Sequence, residues 1–295
     1  MGLPDLCTEC GNVQKTIGAY LTDLGSLGVR GFRIDAAKHQ EADMLAKVLA
    51  NGPNYFTFGE VIEGAGEAVT PDMYYNLGQV TEFDFSRKLA PNFQSQGKLD
   101  SLSNFGTDWG LMPSDNAVTF IDNHDTQRGE AILTYKDGAV YTLANVFMLA
   151  HPYGHPKVMS SYAFNDHDQG PPSTPVHQGS SVNCAQQGPW ICEHRQPQIA
   201  GMVAFRKLAG DSAVTNFAVS DDKNAVAFGR EGNGFVLINR GQNTWTVTLD
   251  TGLAAGTYKD ILGVLSSSVT VGSDQKAQFE VPSMSAVALT SASKQ

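Results

Sequence analysis

The chain has 295 residues, room for one large domain or two of ordinary size. Apolar residues make up 41% and charged residues 17%, enough to bury a sizeable core, and 9% aromatics argue against disorder. Twenty Lys and Arg against 30 Asp and Glu leave a net charge of −10, so no surplus of cations faces phosphates and nucleic acid is excluded as a main partner.

The first residues lack the basic start and long apolar run of a signal peptide. The most apolar stretch, 139–150, is too short to span a bilayer, so no membrane partner is expected. Val13, Ile17, Tyr20, Leu21, Leu24 and Leu27 recur at helical spacing, predicting a helix over 12–27 that Gly28 stops. A short strand is predicted over 29–36, a helix around 41–49, and strands over 56–62, 80–85 and 117–122. Residues 138–148 read as a helix, 149–160 as holding one more strand, and 198–208 as helical again. Strands alternating with helices imply a parallel sheet with crossover helices, and five such strands precede residue 210. No Gly-rich phosphate loop follows the first strand, so a dinucleotide fold has no support.

Beyond Gly210 the texture changes. Eight short apolar runs between 213 and 290 are separated by turn residues such as Asp221-Asp222, Gly232-Asn233 and Ala255-Gly256. This spacing predicts an antiparallel β-sandwich over 211–295, after an α/β domain over 1–210. Cys184 and Cys192 close a short loop containing Gly188 and Pro189, which reads as a local disulfide or, with His194, as part of a zinc site. Cys7 and Cys10 form a lone CxxC without a preceding strand. A redox role is not expected of them, and they read as free thiols or as bonded to something outside the chain.

Asp35, Glu60 and Asp125 fall at the C-terminal ends of three separate predicted strands. In a parallel α/β barrel that rim holds catalytic groups, whereas any one of these acids alone reads as a loop acid or a helix cap. Their contexts are Gly31-Phe32-Arg33-Ile34-Asp35-Ala36-Ala37-Lys38-His39, Gly59-Glu60-Val61-Ile62 and Phe120-Ile121-Asp122-Asn123-His124-Asp125. These resemble three signature segments of the α-amylase family of glycoside hydrolases, in that family's order. Leu3-Pro4-Asp5-Leu6 is similar to a fourth. His151-Pro152-Tyr153-Gly154, Val158-Met159-Ser160-Ser161-Tyr162 and Cys192-Glu193-His194-Arg195 resemble the chloride-dependent, animal-type branch.

The resemblance implies a fold, α/β plus all-β: about strands four to eight of a (β/α)8 TIM barrel, then the sandwich. It implies endo-hydrolysis of α-1,4-glucosidic bonds in starch- and glycogen-type glucans by a secreted, extracellular monomer. Asp35 matches the nucleophile, Glu60 the general acid/base and Asp125 the third carboxylate, which binds and distorts the sugar. A retaining glycosidase needs one carboxylate to form a glycosyl-enzyme and a second to give and take a proton, about 5–5.5 Å apart. Apolar neighbours such as Phe56, Phe58 and Val61 favour the protonated form such an acid needs. Arg33, Lys38, His39 and His124 match positions that contact substrate. Arg33, Asn123 and Lys157 match the residues that hold a chloride, and the backbone carbonyl of His39 matches a calcium ligand. Trp109, Tyr135 and Tyr162 are expected to pack in the core rather than stack on sugars.

Two departures stand out. Only the last five of eight barrel strands are found, so the chain resembles the C-terminal part of such an enzyme, and a non-catalytic glucan-binding remnant is the alternative. Gln196-Pro197 follows Cys-Glu-His-Arg where the family carries Trp and no Pro, which would shift the start of the next helix.

Overall fold

The computed structural model describes residues 5–185 and 187–295, so Leu3 and Pro4 of the fourth resembling segment lie outside the described residues. The chain divides into two compact units. One comprises residues up to Phe83 together with Gly110–Thr119; the other comprises Asp84–Trp109 and Phe120–Gln295.

In the first unit, α1 (Gly11–Ser26) turns its small and apolar positions Gly18, Leu21 and Gly25 inward. Cys7 and Cys10 are bonded to each other just before it, which corrects the expectation of free or externally bonded thiols. The reason is local: the Cys10 amide donates to the Cys7 carbonyl at 2.9 Å, and this tight turn brings the Cα atoms to 5.3 Å, within disulfide reach. Gly28, with φ of 104°, turns the chain out of the helix as expected. Then come β1 (Gly31–Ile34), α2 (Ala42–Ala50), β2 (Phe56–Gly59), β3 (Gln79–Thr81) and β4 (Ala117–Thr119). The four strands pair in parallel in chain order, with Ile34 opposite Gly59, Gly59 opposite Val80, and Val80 opposite Ala117. Ala37, Leu45, Val61, Tyr74 and Val80 form the buried cluster that α2 closes over this sheet.

The strand predicted over 80–85 stops at Thr81, and Phe83 opens α3 (Phe83–Gln94). Phe83 and Phe85 flank Asp84 in a strand-like alternation, but Phe85, Leu89 and Phe93 recur every fourth residue and are fully buried. Pro91 inside α3 is what argues against a helix there in sequence terms.

In the second unit, α4 (Ala139–Ala150) is apolar all round and buried from Tyr141 to Ala150. The strand predicted over 149–160 shrinks to β5 (His155–Pro156), because Pro152, Gly154 and Pro156 supply too few ladder donors and too much turn geometry. A two-rung hairpin follows, β6 (His177–Gln178) with β7 (Ser181–Val182). α5 (Pro197–Ala209) begins at Pro197, so the Gln-Pro departure sits where a first helical turn tolerates it.

The remaining strands are β8 (Val214–Val219), β9 (Ala225–Arg230), β10 (Gly234–Asn239), β11 (Trp245–Asp250), β12 (Gly256–Tyr258), β13 (Val269–Val271), β14 (Lys276–Val281) and β15 (Ser285–Thr290). They form an antiparallel sheet in the order β15-β10-β9-β8 and two pairs, β11 with β14 and β12 with β13. Burial alternates along β14, whose outer face meets water, whereas β9 and β10 are buried throughout. The cause is that α4 and α5 cover one face of the larger sheet while β14 packs on the other. Phe235 stacks on Phe279 across that interior, with ring centroids 5.9 Å apart. α4, α5 and these strands thus belong to one compact unit. Among the described residues no helix is long and apolar enough to cross a membrane.

Candidate active site

In the first unit, Asp35 and Glu60 are the residues immediately after β1 and β2, and the pairing of Ile34 with Gly59 sets them side by side at the C-terminal edge. The Glu60 amide donates to the Ile34 carbonyl at 2.9 Å, which carries the ladder one rung past the strands. Arg33, two residues before Asp35 on the same strand face, bridges both acids. Its Nη1 holds Asp35 Oδ1, and its Nη2 lies 3.0 Å from Glu60 Oε1. One guanidinium therefore fixes the two carboxyl groups within its own span. The other Glu60 oxygen accepts the Ala36 amide at 3.0 Å, and Ala36 is held in the left-handed region at φ 48° to present it. Solvent access separates the two acids: Glu60 is 8% exposed, while the Asp35 side chain is 75% exposed.

Lys38 and His39 lie on the short turn that follows. Lys38 Nζ donates to the Ile62 carbonyl at 2.8 Å and pairs with Glu67, whose carboxyl it holds below the usual range. The Tyr74 hydroxyl buttresses the turn through the carbonyls of Gln40, at 2.7 Å, and Lys38, at 3.2 Å. Calcium takes six to eight oxygens. Among the described residues no group of three or more His, Cys, Asp or Glu side chains converges. The His39 carbonyl is then a single candidate oxygen, and these residues by themselves do not make a calcium shell.

One residue of this edge escapes the sequence reading. Glu82 follows β3 as Asp35 follows β1, is 5% exposed, and accepts the Met112 amide at 2.8 Å. Its position just after Val80-Thr81 was the available signal. Thr81 accepts the Val61 amide through Oγ1 at 3.1 Å and so anchors the residue next to Glu60.

The second unit holds the other expected residues. Asn123 Oδ1 accepts the amides of Asp125, at 3.0 Å, and Thr126, at 2.8 Å, and Thr126 Oγ1 accepts the Asn123 amide at 2.9 Å. This closed turn presents His124 and Asp125 to solvent, with His124 Nε2 at 3.2 Å from Asp125 Oδ2. Lys157 directly follows β5. Tyr162 Oη accepts Arg128 Nη2 at 2.6 Å, and the Arg128 guanidinium lies 3.9 Å from the centre of the Phe164 ring. Tyr135 and Tyr162 set their edges on Phe164, and Trp109 packs against Phe105 at 4.9 Å.

Behind that turn, Asp122 is 2% exposed and accepts the Tyr141 hydroxyl at 2.8 Å. Burial pushes its carboxyl up to about 7, against the Tyr141 bond and with help from the charges of Glu193 and Asp137. Glu193 is fully buried and accepts the Ser161 amide at 2.6 Å. Cys184 and Cys192 are bonded, which consumes both thiols the zinc alternative required.

Residues 218–292 match the family model described as "Alpha amylase, C-terminal all-beta domain". The chain is 46% identical over 289 residues to an α-amylase of Streptomyces violaceus, covering 97% of this chain and 49% of that one. It is 38% identical over 319 residues to pancreatic α-amylase 2a5 of Mus musculus, covering 95% and 62%. Among solved structures, wild-type α-amylase I from Eisenia fetida superposes with a TM-score of 0.88 at 33% identity, covering 98% of this chain and 66% of that one. A mutant of that earthworm enzyme in complex with maltohexaose matches equally well. The chain spans about half of the Streptomyces relative and nearly two thirds of the animal ones.

Proposed function

This chain belongs to the α-amylase family, represented here by part of a (β/α)8 barrel and the C-terminal all-β domain, and on that premise we propose that it carries the catalytic carboxylates of an endo-acting α-glucan hydrolase. Asp35 is the nucleophile, Glu60 the general acid and then base, and Asp125 the third carboxylate that binds the sugar. The observation that carries the reading is the single Arg33 guanidinium joined to both Asp35 and Glu60 at the ends of adjacent parallel strands. A retaining displacement needs two carboxyls held a short, fixed distance apart, one free to meet the sugar and one in drier surroundings. The exposed Asp35 and the buried Glu60 divide in that way.

In the first step Glu60 would protonate the glycosidic oxygen as Asp35 Oδ attacks the anomeric carbon. In the second, Glu60 would take a proton from the water that releases the glycosyl-enzyme. Arg33, Lys38, His39 and His124 border the sugar subsites in this reading. Arg33, Asn123 and Lys157 would hold a chloride, which would offset the charge that the guanidinium presents to the acids. Starch- and glycogen-type glucans are the substrates, the maltohexaose complex of the earthworm relative being consistent with such a ligand. An extracellular protein fits two disulfides in so small a cysteine set, and the family resemblance implies a monomer.

The test is hydrolysis of soluble starch, with and without calcium and chloride, with product anomers followed by NMR. Retention of configuration is expected, and Glu60→Gln should lower kcat by about 10²- to 10⁴-fold. Maltooligosaccharide binding that persists without any hydrolysis would replace this reading by the glucan-binding remnant.

A further inference from the structure

The C-terminal sandwich has an open seam. Among the described residues β8 pairs only with β9, and β11 only with β14, so each leaves one strand edge free. Near one end the seam is pinned, because the Asn216 side chain donates to the Asp250 carbonyl at 3.1 Å. At the other end, where β8 stops at Val219 and β11 starts at Trp245, both strands line a cleft of about 370 Å³. Trp245 packs on the buried cluster of the sandwich yet stays partly exposed. The chain has three tryptophans. Trp109 Nε1 donates to Asn104 Oδ1 at 3.0 Å and Trp190 Nε1 to the Thr174 carbonyl at 2.7 Å, whereas the Trp245 N–H has no partner among the described residues. The polar walls are preformed. Asp222 accepts the Ser220 hydroxyl at 2.6 Å and the Asn224 side chain at 3.0 Å, and these bonds hold its carboxyl below the usual range. Across from it, buried Asn239 donates to the Asn243 carbonyl at 2.9 Å and accepts the Gly241 amide at 2.8 Å, which fixes the turn into β11. The side chains of Asp221 and Asn243 stand exposed at the rim.

An indole flanked by carboxylate and amide oxygens suits an uncharged, hydroxyl-rich ligand. The apolar side of a sugar ring can lie on the indole while its hydroxyls donate to the aspartates and accept from the indole N–H and the Asn243 amide. Two carboxylates, with no Lys or Arg among the described lining residues, disfavour phosphates and other anions. A strand-forming peptide meets a poor template. A bulge between Thr215 and Ala218 breaks β8, with Asn216 in the left-handed region at φ 52°. We propose that the Trp245 cleft is a second carbohydrate-binding site, one that takes a neutral α-glucan chain without any part in the bond cleavage. It lies wholly inside residues 218–292, and gives that all-β domain a binding role of its own. The choice of an α-linked glucan rests on the hydrolase reading; a cleft for neutral sugar does not.

The test titrates maltoheptaose into the full chain and follows the tryptophan indole N–H resonances by NMR. Trp245→Phe removes one of the three indole peaks and so assigns it. In the parent, that peak should shift with maltoheptaose and stay in place with inorganic phosphate. Asp221→Ala combined with Asn243→Ala changes only exposed side chains, so the fold is expected to stand. This double variant should raise the dissociation constant read from the Trp245 peak by about tenfold, and weaken retardation in glycogen-containing native gels. Its hydrolysis of a short maltooligosaccharide should match the parent's. An unmoved Trp245 peak in the parent overturns the proposal. So does a peak that moves with a Lys-rich peptide and not with the glucan, which would make the seam a peptide-docking edge. Unaltered affinity in the double variant overturns it as well, since the peak would then report binding elsewhere. A chain that hydrolyses nothing but shifts this peak keeps the cleft and loses the enzyme. A chain that hydrolyses starch with the peak unmoved keeps the enzyme and loses the cleft.

Discussion

A single guanidinium, that of Arg33, holds both acids that follow β1 and β2. Its fork is what allows the bridge, since a lysine offers a point charge on a flexible stem. Under the proposed hydrolase reading, Arg33→Lys is therefore expected to keep the fold and lower kcat/KM on starch by about tenfold or more, the loss of roughly 1.4 kcal/mol of orientation. Unchanged kinetics would show that the charge alone suffices. Arg230 is a guanidinium of the opposite kind, fully buried and spent on structure. It donates to the carbonyls of Ser212 and Gly210 at 2.7 and 2.6 Å and to that of Ala150. Burial first, then Arg206, lowers its pKa to about 10, which leaves it charged at neutrality. Arg230→Met fills the space but strands three carbonyls, so urea unfolding should show a loss of about 3 kcal/mol or more. Arg33 was legible in sequence as a site residue because it lies two positions from Asp35. Arg230 was not, because nothing local marks an arginine whose partners are carbonyls on other segments.

Among the elements, the helix α1 makes a sharp prediction. Gly→Ala inside an exposed helix ordinarily stabilises by about 1 kcal/mol. At Gly18 a Cβ would lie 2.5 Å from the backbone carbon and oxygen of Asn51, at the end of α2. Backbone cannot step aside as a flexible side chain can, so overpacking wins, and Gly18→Ala should cost about 1–3 kcal/mol in thermal or urea unfolding. A stabilised variant would mean that α1 sits farther from α2. The spacing of Val13, Ile17, Leu21 and Leu24 predicts α1 well, since a 3.6-residue period is a local property. The same logic failed at α3, where Phe83 and Phe85 imitate a strand and burial of Phe85, Leu89 and Phe93 decides for a helix. It failed again at β5, where turn-forming residues leave two residues of strand. The Cys184–Cys192 loop is a further element-scale test. Its closure is worth about 2.5 kcal/mol by chain entropy, so Cys184→Ser with Cys192→Ser should lower stability by about that amount.

At the scale of the whole molecule, stability against pH is set by one half-buried and one buried group whose effects oppose. His151 stacks on Phe147 at 5.2 Å, with the rings of Phe105 and Phe228 set edgewise around it. Desolvation by these rings first, then the charges of Arg230 and Arg206, lower the pKa of this half-buried imidazole from 6.5 to about 3. The unfolded chain then binds more protons between those values, and stability falls as pH drops below 6.5. Asp122 works the other way. Its folded pKa of about 7 lies above the ordinary 3.8, so the folded state binds the extra proton and stability falls as pH rises from 3.8 to 7. Between 3.8 and 6.5 the two trends offset each other, and a flat profile of melting temperature against pH is expected there. Asp122→Asn should uncover the acid-side loss, and His151→Gln should uncover the decline toward neutrality. A flat profile in either variant would remove the corresponding group from the account.

The amino-acid sequence by itself determined what depends on near neighbours along the chain. That includes the strands that lead into Asp35 and Glu60, the helices with a clean apolar face, the turn-punctuated antiparallel strands, and the placing of those two carboxylates at the C-terminal edge of a parallel sheet. Only the tertiary structure decided which acid is dry and which is wet. Glu60 and Asp35 each follow a strand, yet one is enclosed and the other faces solvent, because burial is a property of everything packed around a residue. It also decided that Cys7 closes on Cys10, that Glu82 joins the strand-end acids, and that Asp122 and Glu193 are both buried. Each of those facts depends on backbone geometry or on distant segments, and neither leaves a periodic trace in the sequence.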